Sequence, residues 1–264
     1  MAHVIAIANQ KGGVGKTTTA VNLAASFAAM ERRTLLIDCD PQGNATSGVG
    51  IDPRQCRTNL YTVLGTPQSA TPAIRATAMD YLHVLPATPD LAGAEIELID
   101  MERRESVLTQ VVEAVQQDYA FVLLDCPPSL GLLTLNALCA ARWLLIPLQT
   151  EYYALEGMAR LLATVERVRG RLNPQLEILG IVLTMFDKRN KLSFHVEHEV
   201  RGHFRDLTLT TTIPRNVRLS EAPSHGQPAL LYDIRSLGTQ AYLQLAQEIL
   251  DLPRLSAPGT AAST

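Results

Sequence analysis

Short runs of branched and leucine side chains recur along the 264-residue chain, separated by longer stretches where apolar residues return every three or four positions. The runs at residues 4–8, 34–37, 82–85, 121–124, 143–147, 179–184 and 210–213 are expected as strands. Most are apolar without alternation, which predicts strands covered on both faces in a mainly parallel sheet. Helices are expected over 17–30, about 94–117, 130–141, 155–171, 193–204 and 237–250. In the last, Tyr242, Leu245, Ala246 and Ile249 share one helical face. The alternation predicts an α/β fold: a twisted, mainly parallel sheet with helices on both faces and right-handed crossovers. No linker divides the chain. One domain over 1–252 is expected, followed by a small, polar and disordered tail over 253–264.

With 47% hydrophobic and 19% charged residues, the chain has the material for a large core, which excludes global disorder. A net charge of −3 argues against nucleic-acid binding through bulk charge. The most apolar stretch, 130–148, is interrupted by Asn136, Arg142 and Pro147, so a membrane span is not expected. The first residues lack the basic start of a secretion signal. Cys39, Cys56, Cys126 and Cys139 form no C-x-x-C pair, which suggests neither a disulfide frame nor a zinc site. A cytoplasmic protein is the consistent expectation. The distribution of charge says more than its total. Lysine occurs only at 11, 16, 188 and 191. From 188 to 218, seven basic residues face three acidic ones, a local excess of +4. That excess points to an anionic partner or to a solvated helix face.

The strongest motif is Lys11-Gly12-Gly13-Val14-Gly15-Lys16-Thr17-Thr18, between the first expected strand and an alanine-rich helix. Glycines let backbone N–H groups wrap phosphates, and the helix aims its positive end at them. Lys16 is expected to reach the β- and γ-phosphates of ATP and Thr17 to ligate Mg2+. The usual leading glycine is replaced by Gln10, and Lys11 is an additional lysine. Asp38 and Asp40 end the second strand on one side of an extended segment, facing the ligand crevice. A metal-bound or water-orienting role competes there with an ordinary surface turn. Asp125 closes the apolar run 121–124, the arrangement that holds Mg2+ directly or through water. No glutamate follows it, which favours Asp40 for orienting water and implies slow intrinsic hydrolysis.

The K-G-G-x-G-K-T-T loop resembles the deviant Walker A motif of the P-loop ATPases that include the ParA/Soj partition proteins, MinD and the nitrogenase iron protein. Asp38–Asn44, Asp125-Cys126-Pro127-Pro128-Ser129, Glu151–Gly157 and Ile213–Gly226 are similar to the chromosomal ParA/Soj branch. The resemblance implies an ATP-dependent sandwich homodimer in which Lys11 reaches the partner's phosphates and Gly12 lies where two loops meet. It implies that Asp40 positions the attacking water, that Asp38 supports Mg2+, and that Pro214 to Asn216 border the adenine. Lys11, Lys16 and Asp40 are thus the expected catalytic residues. It also implies a nonspecific duplex-DNA surface at Lys188, Arg189, Lys191 and Arg218, nucleoid association, and hydrolysis stimulated by a ParB-type partner.

The alternative is a nucleotide-gated positioning ATPase that acts on protein partners without DNA. A MinD-like membrane role requires a C-terminal basic amphipathic helix, which the residues after Leu252 do not supply. Spacing leaves open an iron–sulfur role for Cys126 and Cys139, although burial of Cys126 beside its strand is the simpler expectation. His195, His198 and Glu199 allow a metal site, but a solvated helix face accounts for them more simply.

Overall fold

In the computed structural model, residues 2–151 and 154–256 are described. Strands His3–Ile7 (β1), Thr34–Asp38 (β2), Arg75–Ala76 (β3), Leu82–Leu85 (β4), Phe121–Asp125 (β5), Trp143–Gln149 (β6), Glu177–Phe186 (β7) and Thr208–Pro214 (β8) form one sheet. Their order is β3-β4-β2-β5-β1-β6-β7-β8. Every pairing is parallel except β3 with β4. The period-2 pleat divides each central strand between two cores. Val4, Ala6, Leu35 and Ile37 enter one cluster; Ile5, Ile7 and Leu36 enter the other. The unalternating apolar runs follow from that division, since neither face meets water.

Helices Lys16–Ala29 and Leu237–Leu250 cover one face, with Tyr242, Leu245, Ala246 and Ile249 buried as their spacing predicts. The hydroxyls of Tyr242 and Thr19 lie 3.1 Å apart and tie these helices together. Helices Val107–Val115, Leu132–Ala140, Ala154–Arg171 and Lys191–His203 cover the other.

Three expectations change. The helix expected over 94–117 is two helices, Leu91–Glu97 and Val107–Val115, separated by a 3-10 turn and an irregular stretch. The charged run Glu102-Arg103-Arg104-Glu105 has no apolar period to bury, and Arg103 adopts φ 54°. Asn136 then fixes the restart, accepting from the Leu108 amide at 3.1 Å and donating to the Arg104 carbonyl at 2.8 Å. The two-residue antiparallel edge β3 is too short to carry a hydrophobic pattern. Finally, Pro253–Ser256 form a helical turn and Leu255 is buried, so packing extends past residue 252. The rest of the expected tail, 257–264, lies outside the described residues, as do Tyr152 and Tyr153. No described helix is long and apolar enough to cross a membrane.

Candidate nucleotide site and basic edge

The loop between β1 and the helix Lys16–Ala29 turns through two left-handed glycines, Gly13 at φ 74° and Gly15 at φ 90°. A side chain at either would be strained whatever the space around it. Asn9 anchors the start of the loop, donating to the Pro147 carbonyl at 2.8 Å and accepting from the Lys11 amide at 3.0 Å. Thr184 anchors its middle, donating to the Val14 carbonyl at 2.8 Å. The two lysines are disposed differently. Lys16 is 7% exposed and its Nζ donates to the Lys11 carbonyl at 3.0 Å. Lys11 sits at the rim, 40% exposed, in an ion pair with Glu151 of the same chain. Burial lowers the Lys16 ammonium, opposed by the charges of Asp125, Cys126 and Asp40.

Register brings the acids together. Asp125 lies beside Asp38 on β2 and beside Ile7 on β1, so the C-terminal ends of three central strands align. Asp38 is fully buried and accepts from the Thr46 amide at 2.8 Å, the Thr46 hydroxyl at 2.7 Å and the Asp40 amide at 3.2 Å. Burial pushes its carboxyl up to about 6, against those bonds. Asp40 is 8% exposed and accepts from the Gln42 amide at 2.9 Å. Asp125 is fully buried, and neither of its oxygens has a hydrogen-bond partner among the described residues, although the Thr17 hydroxyl is close enough to oppose the upward shift. Burial first, then the Asp38 charge, raises its carboxyl well above the ordinary value. Such a group calls for a cation, because an unpaired buried carboxylate costs several kcal/mol, of order 3–5 when a partner is removed. Beside Thr17 in the first turn of the helix behind the loop, these oxygens fit Mg2+. Among the described residues no three His, Cys, Asp or Glu side chains converge as a metal cage. An ion held by few protein groups and by phosphate oxygens is the chemistry these donors fit. His195 and His198 lie exposed on the helix Lys191–His203.

Past the loop, a cavity of about 310 Å³ opens between Gly15, Thr18, Met185, Pro214, Asn216 and Tyr242. The expected adenine border is therefore contiguous with the phosphate loop. Met185 is left-handed at φ 52°, where the β7–β8 register slips before Phe186. A non-glycine residue so held is strained, and it lies on the cavity wall.

The basic residues lie along the same sheet end. Phe186 pairs with Pro214, and the Arg215 amide donates to the Phe186 carbonyl at 3.1 Å, so the loops carrying Arg189 and Arg218 are neighbours. Lys188 and Lys191 are exposed. Arg189 projects into solvent yet forks onto Asp187 with two 3.0 Å bonds, which hold that carboxyl down to about 2. Arg218 donates to Glu221 at 2.8 Å, stands 3.4 Å from Asp233 and lies over the Tyr232 ring. The two arginines thus start out paired, which the sequence count of charges did not anticipate.

Cys126 is buried with its thiol pushed up by desolvation, as a packed residue would be. Several supporting residues escaped the sequence reading: Asn9, Thr46, Thr184 and the pairing of Glu151 with Lys11. Their partners are 2 to 170 positions distant. Only Glu151 had a signal, its place in a recognised motif.

A family profile described as an AAA domain matches residues 2–178. The chromosome partitioning protein ParA of Caulobacter vibrioides is 54% identical over 254 residues, 96% of this chain and 95% of that protein. The sporulation initiation inhibitor protein Soj of Bacillus subtilis is 54% identical over 249 residues, 94% and 98% of the two chains. Among solved structures, the Mycobacterium smegmatis protein described as cobyrinic acid a,c-diamide synthase with bound ADP and magnesium superposes with a TM-score of 0.82. It is 36% identical and the match covers 95% of this chain and 94% of that one.

Proposed function

This chain belongs to the ParA/Soj family of chromosome-partitioning ATPases, and on that premise we propose that it works as an ATP-gated dimer that holds DNA and releases it on hydrolysis. It is an ATPase whose cofactors are ATP and Mg2+. Gly12 to Thr18 cradle the phosphates, with Lys16 neutralising the β and γ groups. Thr17, Asp125 and Asp38 would hold Mg2+, which supplies charge neutralisation on the phosphate oxygens when bound. Asp40, at the open side of the acid cluster, orients the attacking water, and Pro214 and Asn216 border the adenine.

The observation that carries the reading is the division of the two lysines. Lys16 serves its own loop, whereas Lys11 points to the rim, where a second copy would meet it. Leaving Glu151 for the partner's nucleotide gives Lys11 a role only a dimer can use. Two facing copies also double the basic edge at Lys188, Arg189, Lys191 and Arg218, so weak phosphate contacts gain avidity on one duplex. A ParB-type protein then stimulates hydrolysis and ends the DNA-bound state.

The test uses Asp40→Ala with ATP and Mg2+, read by sedimentation and by retention on DNA over a salt series. Dimers that hold DNA, with retention falling steeply as salt rises, are expected. Monomers alone overturn the reading. A second reading, a protein-directed switch that never touches DNA, is favoured by the acids already paired with Arg189 and Arg218. Retention on DNA that is absent, or that depends on neither salt nor nucleotide, would select it.

A further inference from the structure

The charge excess of the basic edge shrinks once its flanks are counted. Within 188–218 seven basic residues face three acids, but from 187 to 233 the same seven face six, which cuts the excess from +4 to +1. The three added acids, Asp187, Glu221 and Asp233, are the ones that contact the two arginines of the edge. The chain therefore carries, beside each arginine, an anion of its own.

Asp187 takes Arg189 side-on. Nε and Nη2 donate to its two carboxylate oxygens, each at 3.0 Å, the two-pronged geometry that arginine also offers a phosphate. The Arg189 amide donates to the same Oδ1 at 3.0 Å, and the Asp187 amide donates to the buried Ser193 hydroxyl at 3.4 Å. The carboxylate is thereby fixed to the loop, and the arginine side chain, 89% exposed, is the half that can leave. Glu221 is held in the same way on the neighbouring loop. It accepts from Arg218 at 2.8 Å and from the Tyr232 hydroxyl at 3.3 Å, while Asp233 stands 3.4 Å from the Arg218 Nε. An arginine whose charge is cancelled within its own chain displaces no counterion from DNA, so it adds affinity only once the acid has let go.

We propose that Asp187, and Glu221 with Asp233, are resident stand-ins for DNA phosphate: each holds its arginine until a duplex takes it by exchange, and recaptures it when the DNA-bound state ends. This rests on the reading that the basic edge binds DNA. The pairs are hydrated, so the brake is mild; an exposed ion pair is worth about two- to fivefold in an equilibrium. Two copies of the chain must open their pairs together, so in a dimer the factors multiply. Recapture is intramolecular, and the tethered carboxylate competes with phosphate at a high effective concentration, which speeds release.

The experiment measures the affinity of the full chain for a duplex of random sequence, with Mg2+ and a nonhydrolysable ATP analogue, and the rate of release into competitor DNA. The proteins are wild type, Asp187→Asn, Arg189→Gln and the double variant. The amide keeps the shape of Asp187 and its bond from the Arg189 amide while removing the charge. Asp187→Asn is expected to bind about fourfold to 25-fold tighter, the square of the factor for one pair, and to release correspondingly more slowly. In the Arg189→Gln background the same replacement should gain less than about twofold, because the arginine it frees is gone. Glu221→Gln/Asp233→Asn, read against Arg218→Gln, repeats the test on the second loop. Weaker binding by Asp187→Asn would make the acid a brace for Arg189 and overturn the proposal. An equal gain with and without Arg189 would trace to overall charge and overturn it as well, while the DNA reading stands. If neither Arg189→Gln nor Arg218→Gln weakens binding, the DNA edge falls and the proposal with it.

Discussion

Replacing Asp125 with asparagine should separate the cost of the nucleotide site from its use. This carboxylate is fully buried, has no hydrogen-bond partner on either oxygen among the described residues and lies beside Asp38. Asp38 is buried equally but accepts three bonds, and its carboxyl rises from 3.8 to about 6. A rise of that size corresponds to ~3 kcal/mol of disfavoured ionisation. Asp125 is as deeply buried and also meets the charge of Asp38, so its carboxyl is likewise raised well above the ordinary value and its ionisation is disfavoured. An acid raised in the fold costs nothing below its unfolded value and its full penalty above its folded value. The stability of Asp125→Asn relative to wild type should therefore be least favourable near about pH 4 and more favourable at about pH 8. Taking the difference between the two pH values cancels the constant contrast between a buried acid and a buried amide. Urea denaturation without nucleotide measures it. Repeated with saturating ATP and Mg2+, wild type should gain stability by ligand linkage and the variant little. A difference that is flat with pH, or a variant that weakens toward alkaline pH, would refute the argument.

Gly12→Val should leave the monomer's stability within about 0.5 kcal/mol of wild type, because its Cβ would meet only Pro128 Cβ at 3.9 Å. ATP-dependent dimers should nonetheless disappear in sedimentation. Thr46→Val should cost ~2–4 kcal/mol in chemical denaturation. It removes a hydroxyl that donates to Asp38 at 2.7 Å and accepts from the buried Ala87 amide at 3.0 Å. Lys16→Ala should weaken ATP binding by ~100-fold or more in calorimetry, the scale of losing two charge-assisted bonds. It should also abolish any ATP-dependent change in sedimentation.

Much of this molecule was legible without coordinates because its constraints are local. Strand runs such as residues 4–8 and 34–37 need only their own apolar side chains, and the loop from Lys11 to Thr18 needs only glycine's freedom and a helix behind it. That Asp38, Asp40 and Asp125 share one sheet edge could be expected from parallel strands ending in acids, whereas the strand order that sets Asp38 beside Asp125 came from the fold. What the chain order could not disclose is pairing between distant groups. That Asp38 receives three hydrogen bonds depends on Thr46 folding back from a short helix eight residues later, which supplies two of them. That Arg189 and Arg218 are paired depends on side-chain reach to Asp187, Glu221 and Asp233. The break at Met101–Ser106 likewise depends on Asn136, far along the chain, supplying the cap. Periodicity and motif are properties of neighbours in sequence, whereas desolvation and hydrogen-bond satisfaction are settled only when the packed neighbours are in place.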